Sequence, residues 1–429
     1  MDDTVRVSGG PPFAGRGASR STASLDWYLA FVALIGLEFL QLSQTLAGWI
    51  FVAGAMIIGA REPGRALLAL YHGGIPWLYV ALCFLSVLWS PVPDISIRGA
   101  IQVALSTGAA FVIARALAPR RFMLVVMGAL IVAAVASLLH RRAQMNAGVL
   151  TLVGIFGSKN QLGLSQATLL IVAGWVFLDR QWRRPMRLIA GFGAAVAFML
   201  LVAARSLDAT VVAVGALATS YCAYKLHWFP RRWRPLILCG IMLLVIVLFA
   251  VLLLFSGDLL GDSLQLLGKD STLTGRTYLW ERARDMMRQN PYLGVGLQAF
   301  WVQGNPYAEE LWARFQPGRT GYNFHNIWFE IGVHFGYVGL SIAILTAGAT
   351  SLSVMRWVLR SPEPASCFFL AVVIFADARS FVESELFGQF SLLAFLYVAS
   401  FAYARQSRVL QGRQMPSGEL VHAGGRERA

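Results

Sequence analysis

Apolar residues run along this chain in long unbroken stretches. They do not alternate as in half-buried strands, nor form the spaced stripes of soluble amphipathic helices. A membrane span needs about 20 predominantly apolar residues. By that measure twelve spans are predicted: 27–44, 46–60, 74–90, 97–117, 121–140, 160–178, 187–205, 207–226, 236–255, 327–354, 365–381 and 386–404. The second is short, and the break near Gln44 is weak. One long polar interruption stands out, from Ser256 to His325. A connection of that length is either functional or disordered, and its Trp and Tyr content and internal helical pattern argue for order.

The polar residues between the runs orient the chain. With the N-terminus in the cytoplasm, every inner loop is basic: Arg61 and Arg65, Arg115 to Arg121, Arg180 to Arg187, Lys225 to Arg234, Arg356 and Arg360, and Arg405 and Arg408. That satisfies the positive-inside rule. It explains much of the net charge of +14 and turns the reading away from nucleic acid. Both termini would then be cytoplasmic, as solvated tails at 1–24 and 405–429, and the 256–325 loop would face the outside. With 57% hydrophobic residues and a mean hydropathy of +0.61, the chain is expected to be an all-α polytopic membrane protein. No soluble domain, internal repeat or cleavable leader is apparent. The four cysteines form neither a zinc pattern nor a disulfide framework.

Seven cations run against the charge bias: Arg98, Arg141, Arg142, Lys159, Arg205, Arg276 and Arg379 sit at outer span ends or in outer loops. Ion pairs and headgroup contacts account for any one of them. Their convergence at one leaflet suggests an anionic lipid-linked substrate.

Within the large loop, Leu279, Trp280, Ala283, Met286 and Met287 follow the i, i+1, i+4, i+7, i+8 pattern of an amphipathic helix, ended by Asn290-Pro291. Gly275-Arg276 falls at its start, where free N–H groups and a guanidinium fork suit a pyrophosphate. An ordinary interface helix is the plainer reading. His325 opens the tenth span; a histidine can accept a proton from a hydroxyl near neutral pH, although a histidine at a span end is more often a headgroup contact. His334 lies nine residues further on, on the opposite helical face, so the two do not form a metal pair. Glycines 332, 336 and 339 suggest close helix packing. Gly154 to Gly163 reads as a tight outer turn presenting Lys159 and Asn160, without P-loop spacing. Arg205 and Asp208 could pair, as could Arg379 and Glu383. Glu38, inside the first span, is a functional candidate without an assigned role.

These motifs together resemble the O-antigen ligase and O-antigen polymerase superfamily of bacterial membrane glycosyltransferases, nearest its exopolysaccharide polymerase branch. The likeness rests on LWSPVPDISIRGA (88–100), GIFGSKNQLG (154–163), the Arg205 region, TGRTYLWERARDMMRQNPYLGVG (274–296), HNIWFEIGVHFGYVGL (325–340) and RSFVES (379–384). It implies a twelve-helix inner-membrane fold with a large periplasmic loop. It implies an undecaprenyl-diphosphate-linked glycan as donor and a second glycan as acceptor, with neither metal nor cofactor. A chain-length regulator and a flippase are candidate partners. On that likeness His325 is the base, Arg276 and Arg205 hold the diphosphate, and Lys159, Asn160, Arg379, Glu383, Arg98, Asn326 and Tyr278 contact substrate. Arg205 matches least well, since its context is Ala-Ala-Arg-Ser-Leu-Asp. A ligase acting on lipid A-core shares the donor chemistry. A transporter or flippase is the reading from another class; it calls for broken helices at mid-membrane and inverted repeats.

Overall fold

A computed structural model describes residues 20–146, 149–255, 273–315 and 322–412. Ser256-Gly257-Asp258 and the Gly-Arg-Thr-Gly run at 318–321 lie outside them, as do the ends of both tails. Long apolar runs form helices because a helix satisfies its own backbone where no water is available. The helices are α1 (Arg20–Glu38), α2 (Gln44–Arg61), α3 (Pro63–Tyr71), α4 (Pro76–Leu85), α5 (Pro93–Ala116), α6 (Pro119–His140), α7 (Lys159–Leu178), α8 (Arg184–Ala203), α9 (Leu207–Tyr224), α10 (Arg234–Phe255), α11 (Leu273–Gln289), α12 (Pro306–Phe315), α13 (Ile327–Arg360), α14 (Pro364–Arg379) and α15 (Leu392–Gly412). Proline stands in the first turn of α3, α4, α5, α6, α8 and α14. There its missing N–H costs nothing and its fixed φ suits the helix.

The chain is an all-α polytopic membrane protein. Among the described residues seven helices are long and apolar enough to cross a membrane, or eight if the pair α3 and α4, bent by 82°, is one broken span. Three features depart from the linear reading. An extra helix, α3, occupies the stretch read as a loop after Arg61. The last run starts as helix only at Leu392, leaving 380–391 irregular. A short antiparallel hairpin joins α6 to α7: β1 (Ala143–Asn146) pairs with β2 (Val149–Leu152). The run Val-Leu-Thr-Leu of β2 favours strand over helix only weakly, and its composition does not set it apart from the apolar spans on either side.

Helix pairs α7–α8, α1–α2, α9–α14 and α5–α15 make the main packing. One aromatic cluster ties α6, α14 and α15 together. Phe369 stacks on Phe122 at 5.9 Å between ring centres and lies 4.8 Å from Tyr403. The Tyr403 hydroxyl donates to the Leu117 carbonyl at 3.0 Å, so its polar tip is satisfied inside an apolar core. All four cysteines are free thiols.

The large loop packs as a small core of its own. Leu279, Ala283 and Met286 of α11 are buried against Phe300, Leu311, Trp312 and Phe324. The periodicity predicts the helix; its partners are this loop core and α13 of the bundle, where Trp280 stacks on Phe329 at 5.6 Å between ring centres.

That core is fastened to α13 where the helix breaks. Gly336 adopts φ 61°, ψ −154° inside α13, a conformation essentially reserved for glycine. The break frees backbone groups, and the Pro-Tyr-Leu-Gly-Val-Gly segment takes them. Val295 and Gly296 N–H donate to the carbonyls of Val333 and His334 at 2.9 and 2.8 Å. Tyr337 and Val338 N–H donate to Pro291 and Tyr292 carbonyls at 2.7 and 3.2 Å. A Cβ on Gly294 would lie 2.4 Å from the backbone of α13, and one on Gly336 would lie 2.4 Å from Pro291. Of glycines 332, 336 and 339, Gly336 thus admits the loop backbone, while a Cβ on Gly332 would meet the Met287 side chain of α11, the close helix approach that the glycines suggest.

Candidate active site

The ends of α1, α5, α7, α8, α9, α13 and α14 meet at one end of the bundle, beneath the loop core. Each brings a polar side chain that sequence reading had singled out. The centre is Glu383, 5% exposed. Its Oε2 lies 3.2 Å from His325 Nδ1. Its Oε1 accepts from Asn160 Nδ2 at 2.6 Å and lies 3.6 Å from Arg276 Nη2. Residues from three distant stretches of sequence therefore share one buried carboxylate.

Each partner is delivered by a local device. Ser158 caps α7, its hydroxyl accepting from Gln161 N–H at 3.3 Å, which puts Lys159 and Asn160 in the first turn. The hairpin aims this turn: Val153 and Gly154 N–H bond the Arg142 carbonyl at 2.9 and 3.0 Å, and an Arg142 guanidinium N–H donates to the Phe156 carbonyl. Arg276 sits in the first turn of α11. Its side chain is 32% exposed, leaving part of the guanidinium open to an anion.

His325 is held under strain. Its φ is 49°, in the left-handed region. Its N–H donates to Asn323 Oδ1 at 2.7 Å, and Asn326 caps α13 by accepting from Trp328 and Phe329 N–H at 2.9 and 3.4 Å. Asn326 Nδ2 also donates to the Phe381 carbonyl at 3.1 Å, tying the His325 turn to the segment that carries Glu383. Glu330, one turn into α13, accepts from Phe324 N–H and Trp301 Nε1 at 3.0 Å each. Strained non-glycine residues persist only where their surroundings over-determine them; here at least three side chains do so.

Arg379 is 1% exposed. It pairs with Glu385 through two contacts of 3.1 Å and approaches Asp208 at 3.5 Å, and it donates to the Asn160 carbonyl at 3.0 Å. The linear sequence offers Glu383 as a possible partner for Arg379. Tertiary packing gives Arg379 the partners Glu385 and Asp208, and leaves Glu383 for His325 and Arg276. Burial raises the Glu385 carboxyl above its ordinary range, with Arg379 opposing that rise. Arg205, at φ 50°, forms the turn between α8 and α9, three residues before Asp208. It therefore stands beside the Arg379 group.

Two of the predicted contacts lie elsewhere. Tyr278 donates to Glu310, accepts from Arg282 at 3.2 Å, and carries the Arg314 guanidinium 4.2 Å over its ring. It locks α11 to α12. The Tyr278 hydroxyl and Arg282 also hold the Glu310 carboxyl below its usual range. Arg98 is exposed, on the wall of a large cavity beside the Glu383 cluster. That cavity measures about 1390 Å³ and reaches Tyr322, Asn323, Ser384 and Glu385. Glu38 lines it too and accepts from Ser165 Oγ at 2.6 Å. Sequence reading missed Glu385, Glu330 and Asn323. An acid one turn inside an apolar span is a signal that Glu330 did carry. Nothing in the linear order separates Glu383 from Glu385.

Comparison with known proteins agrees with this architecture. Residues 209–344 match the O-antigen ligase family, a stretch that spans α9, the large loop and the first half of α13. The chain is also 30% identical over 331 residues to the exopolysaccharide production protein ExoQ of Rhizobium meliloti (strain 1021), covering 75% of this chain and 74% of that one. The chain belongs to the O-antigen ligase superfamily. Its likeness is to the exopolysaccharide branch. The family consists of ligase- and polymerase-type membrane enzymes of polysaccharide synthesis that act on lipid-linked glycans. The matched segment carries Arg276 and His325, while Asn160 and Glu383 lie outside it and reach the site only through the fold.

Proposed function

We propose that this protein is an inverting glycosyltransferase that polymerises undecaprenyl-diphosphate-linked oligosaccharide repeats into an exopolysaccharide at the periplasmic face of the inner membrane. The observation that carries the reading is the sharing of Glu383 by His325, Arg276 and Asn160 beside a large cavity. With Nδ1–H donated to Glu383, the His325 Nε2 is left as the base. It takes the proton of an acceptor hydroxyl as that oxygen attacks the donor's anomeric carbon. The bond from that carbon to the diphosphate breaks, and the diphosphate leaves with its charge. Arg276 swings from Glu383 onto the developing negative charge, with Lys159 at the α7 N-terminus and Arg205 as further cations. One well-placed donor of this kind is commonly worth about 3–4 kcal/mol in the transition state. A positioned base adds about 10²–10⁴-fold.

Polymerisation is favoured over transfer to lipid A-core because the curated relative is an exopolysaccharide production protein. The test is elongation by purified protein given lipid-linked repeats. His325→Ala is expected to abolish chain growth while membrane insertion and unfolding temperature stay unchanged. Arg276→Lys is expected to lose most activity, because an ammonium cannot reproduce the guanidinium fork. Unchanged chain length in His325→Ala would remove His325 from the mechanism.

A further inference from the structure

The cavity next to the catalytic cluster has a wall that a lipid tail does not need. Among the described residues six glutamines line it: Gln41, Gln44, Gln102, Gln161, Gln298 and Gln389. They come from five separate parts of the chain, yet converge on one space. Trp49, Tyr79, Trp301 and Tyr322 stand among them. Amides offer both donors and acceptors, and aromatic faces suit the C–H faces of sugar rings. A polyprenyl chain would gain nothing from the amides and would offer no hydrogen bond to those that the protein does not itself engage, as it engages Gln161 through Gly157 N–H.

Backbone strain marks the same wall. Among the described residues five non-glycine positions have positive φ: Arg141, Arg205, Gln298, His325 and Phe390. Arg205 and His325 belong to the catalytic end, and Gln298 and Phe390 line the cavity. Both cavity residues are pinned by serine hydroxyls. Leu297, next to Gln298, donates its N–H to Ser86 Oγ at 3.2 Å, and its carbonyl accepts from Ser96 Oγ at 2.7 Å. Phe390 N–H donates to Ser106 Oγ at 2.9 Å. The Gln298 amide lies against Gly99, where a Cβ would come within 3.1 Å of it. Strain maintained in this way points to a function rather than to slack packing.

Charge narrows the ligand. Among the described residues the charged lining comprises Glu38, Asp94, Glu330 and Glu385 against the arginine Arg98. Resting on the glycosyl-transfer reading, we infer that this cavity is the subsite for the uncharged sugars of the acceptor glycan. The amides of Gln102, Gln298 and Gln389 read sugar hydroxyls, and among the described lining residues Arg98 is the single arginine or lysine to meet an acidic sugar. At about 1390 Å³ the space exceeds the roughly 300–1,000 Å³ of pockets for drug-sized ligands, room for several sugar rings. Its edge at Tyr322, Asn323 and Ser384 brings the end of such a glycan beside His325.

The probe is the neutral oligosaccharide released by mild acid from the host's own polyprenyl-linked pool. Binding to the full chain in lipid nanodiscs is read by tryptophan fluorescence, with Trp49 and Trp301 as reporters. Saturable binding is expected, weakened at least tenfold by Gln102→Leu or Gln389→Leu and largely retained in Gln102→Asn, with unfolding temperatures matching the parent. An oligosaccharide of equal length carrying uronic acids should bind at least tenfold more weakly. Absence of binding, or binding indifferent to the leucine changes, would overturn the proposal. So would undecaprenyl phosphate alone displacing the oligosaccharide and binding the leucine variants as tightly as the parent; that result makes the cavity a lipid-tail groove. The readout is binding and not elongation. A failed His325→Ala test therefore leaves this inference standing, and failed binding leaves the transfer reading standing.

Discussion

Arg379 is the residue whose role changes most between the linear chain and the fold. By position it is a cation at a span end, apt for a substrate anion. In the fold it is enclosed, holding Glu385, Asp208 and the Asn160 carbonyl at once. A buried ion pair gains little net stability, because desolvation offsets the attraction, but removing one partner strands the other. Arg379→Ala is therefore expected to cost about 3–5 kcal/mol, seen as a large fall in the unfolding temperature in detergent. The double change Arg379→Leu with Glu385→Leu should recover much of that loss in stability without restoring activity, since Asn160 would lose its anchor. His325 and Arg276, in contrast, keep 23% and 32% of their side chains exposed. That difference in exposure separates residues that can meet a substrate from one that positions them.

At the scale of elements, the Pro-x-x-Gly-x-Gly segment after α11 looks like a turn signal in sequence and acts as a clamp in the fold. It replaces the hydrogen bonds that α13 forfeits at Gly336. Gly336→Ala would force a side chain into a conformation costing about 1–3 kcal/mol in backbone strain alone, and its Cβ would meet Pro291. The expected outcome is release of the loop core from α13: faster hydrogen exchange and protease cutting across 273–315, with the rest of the bundle still protected. Because His325 lies between that core and α13, activity should fall as well. An uncut loop at parental stability would show that the clamp is dispensable. The α11 helix itself was legible, since its apolar period needs no tertiary information. Its partner was not, because a stripe of Leu279, Ala283 and Met286 fits a lipid surface as well as a protein core.

For the whole molecule, the charge pattern of the loops predicts both termini in the cytoplasm. A green fluorescent protein fused after Gly412 should fluoresce, and alkaline phosphatase at the same place should be inactive. Phosphatase inserted in the 256–272 stretch should be active. The reverse pattern would put the His325 cluster on the cytoplasmic side and end the reading of a periplasmic enzyme. The sequence by itself determined the membrane class, the helical fold, the large loop and the residue types at its two ends. These follow from local quantities: the length of apolar runs, the sign of loop charge, and the helical period. Only the tertiary structure decided that Asn160, Arg276 and His325 share Glu383, that Arg379 turns inward to Glu385, and that six glutamines among the described residues face one cavity. Those are contacts between residues up to 223 positions apart. A carboxylate does not carry its partner's address in its own neighbourhood; packing of the helices assigns it.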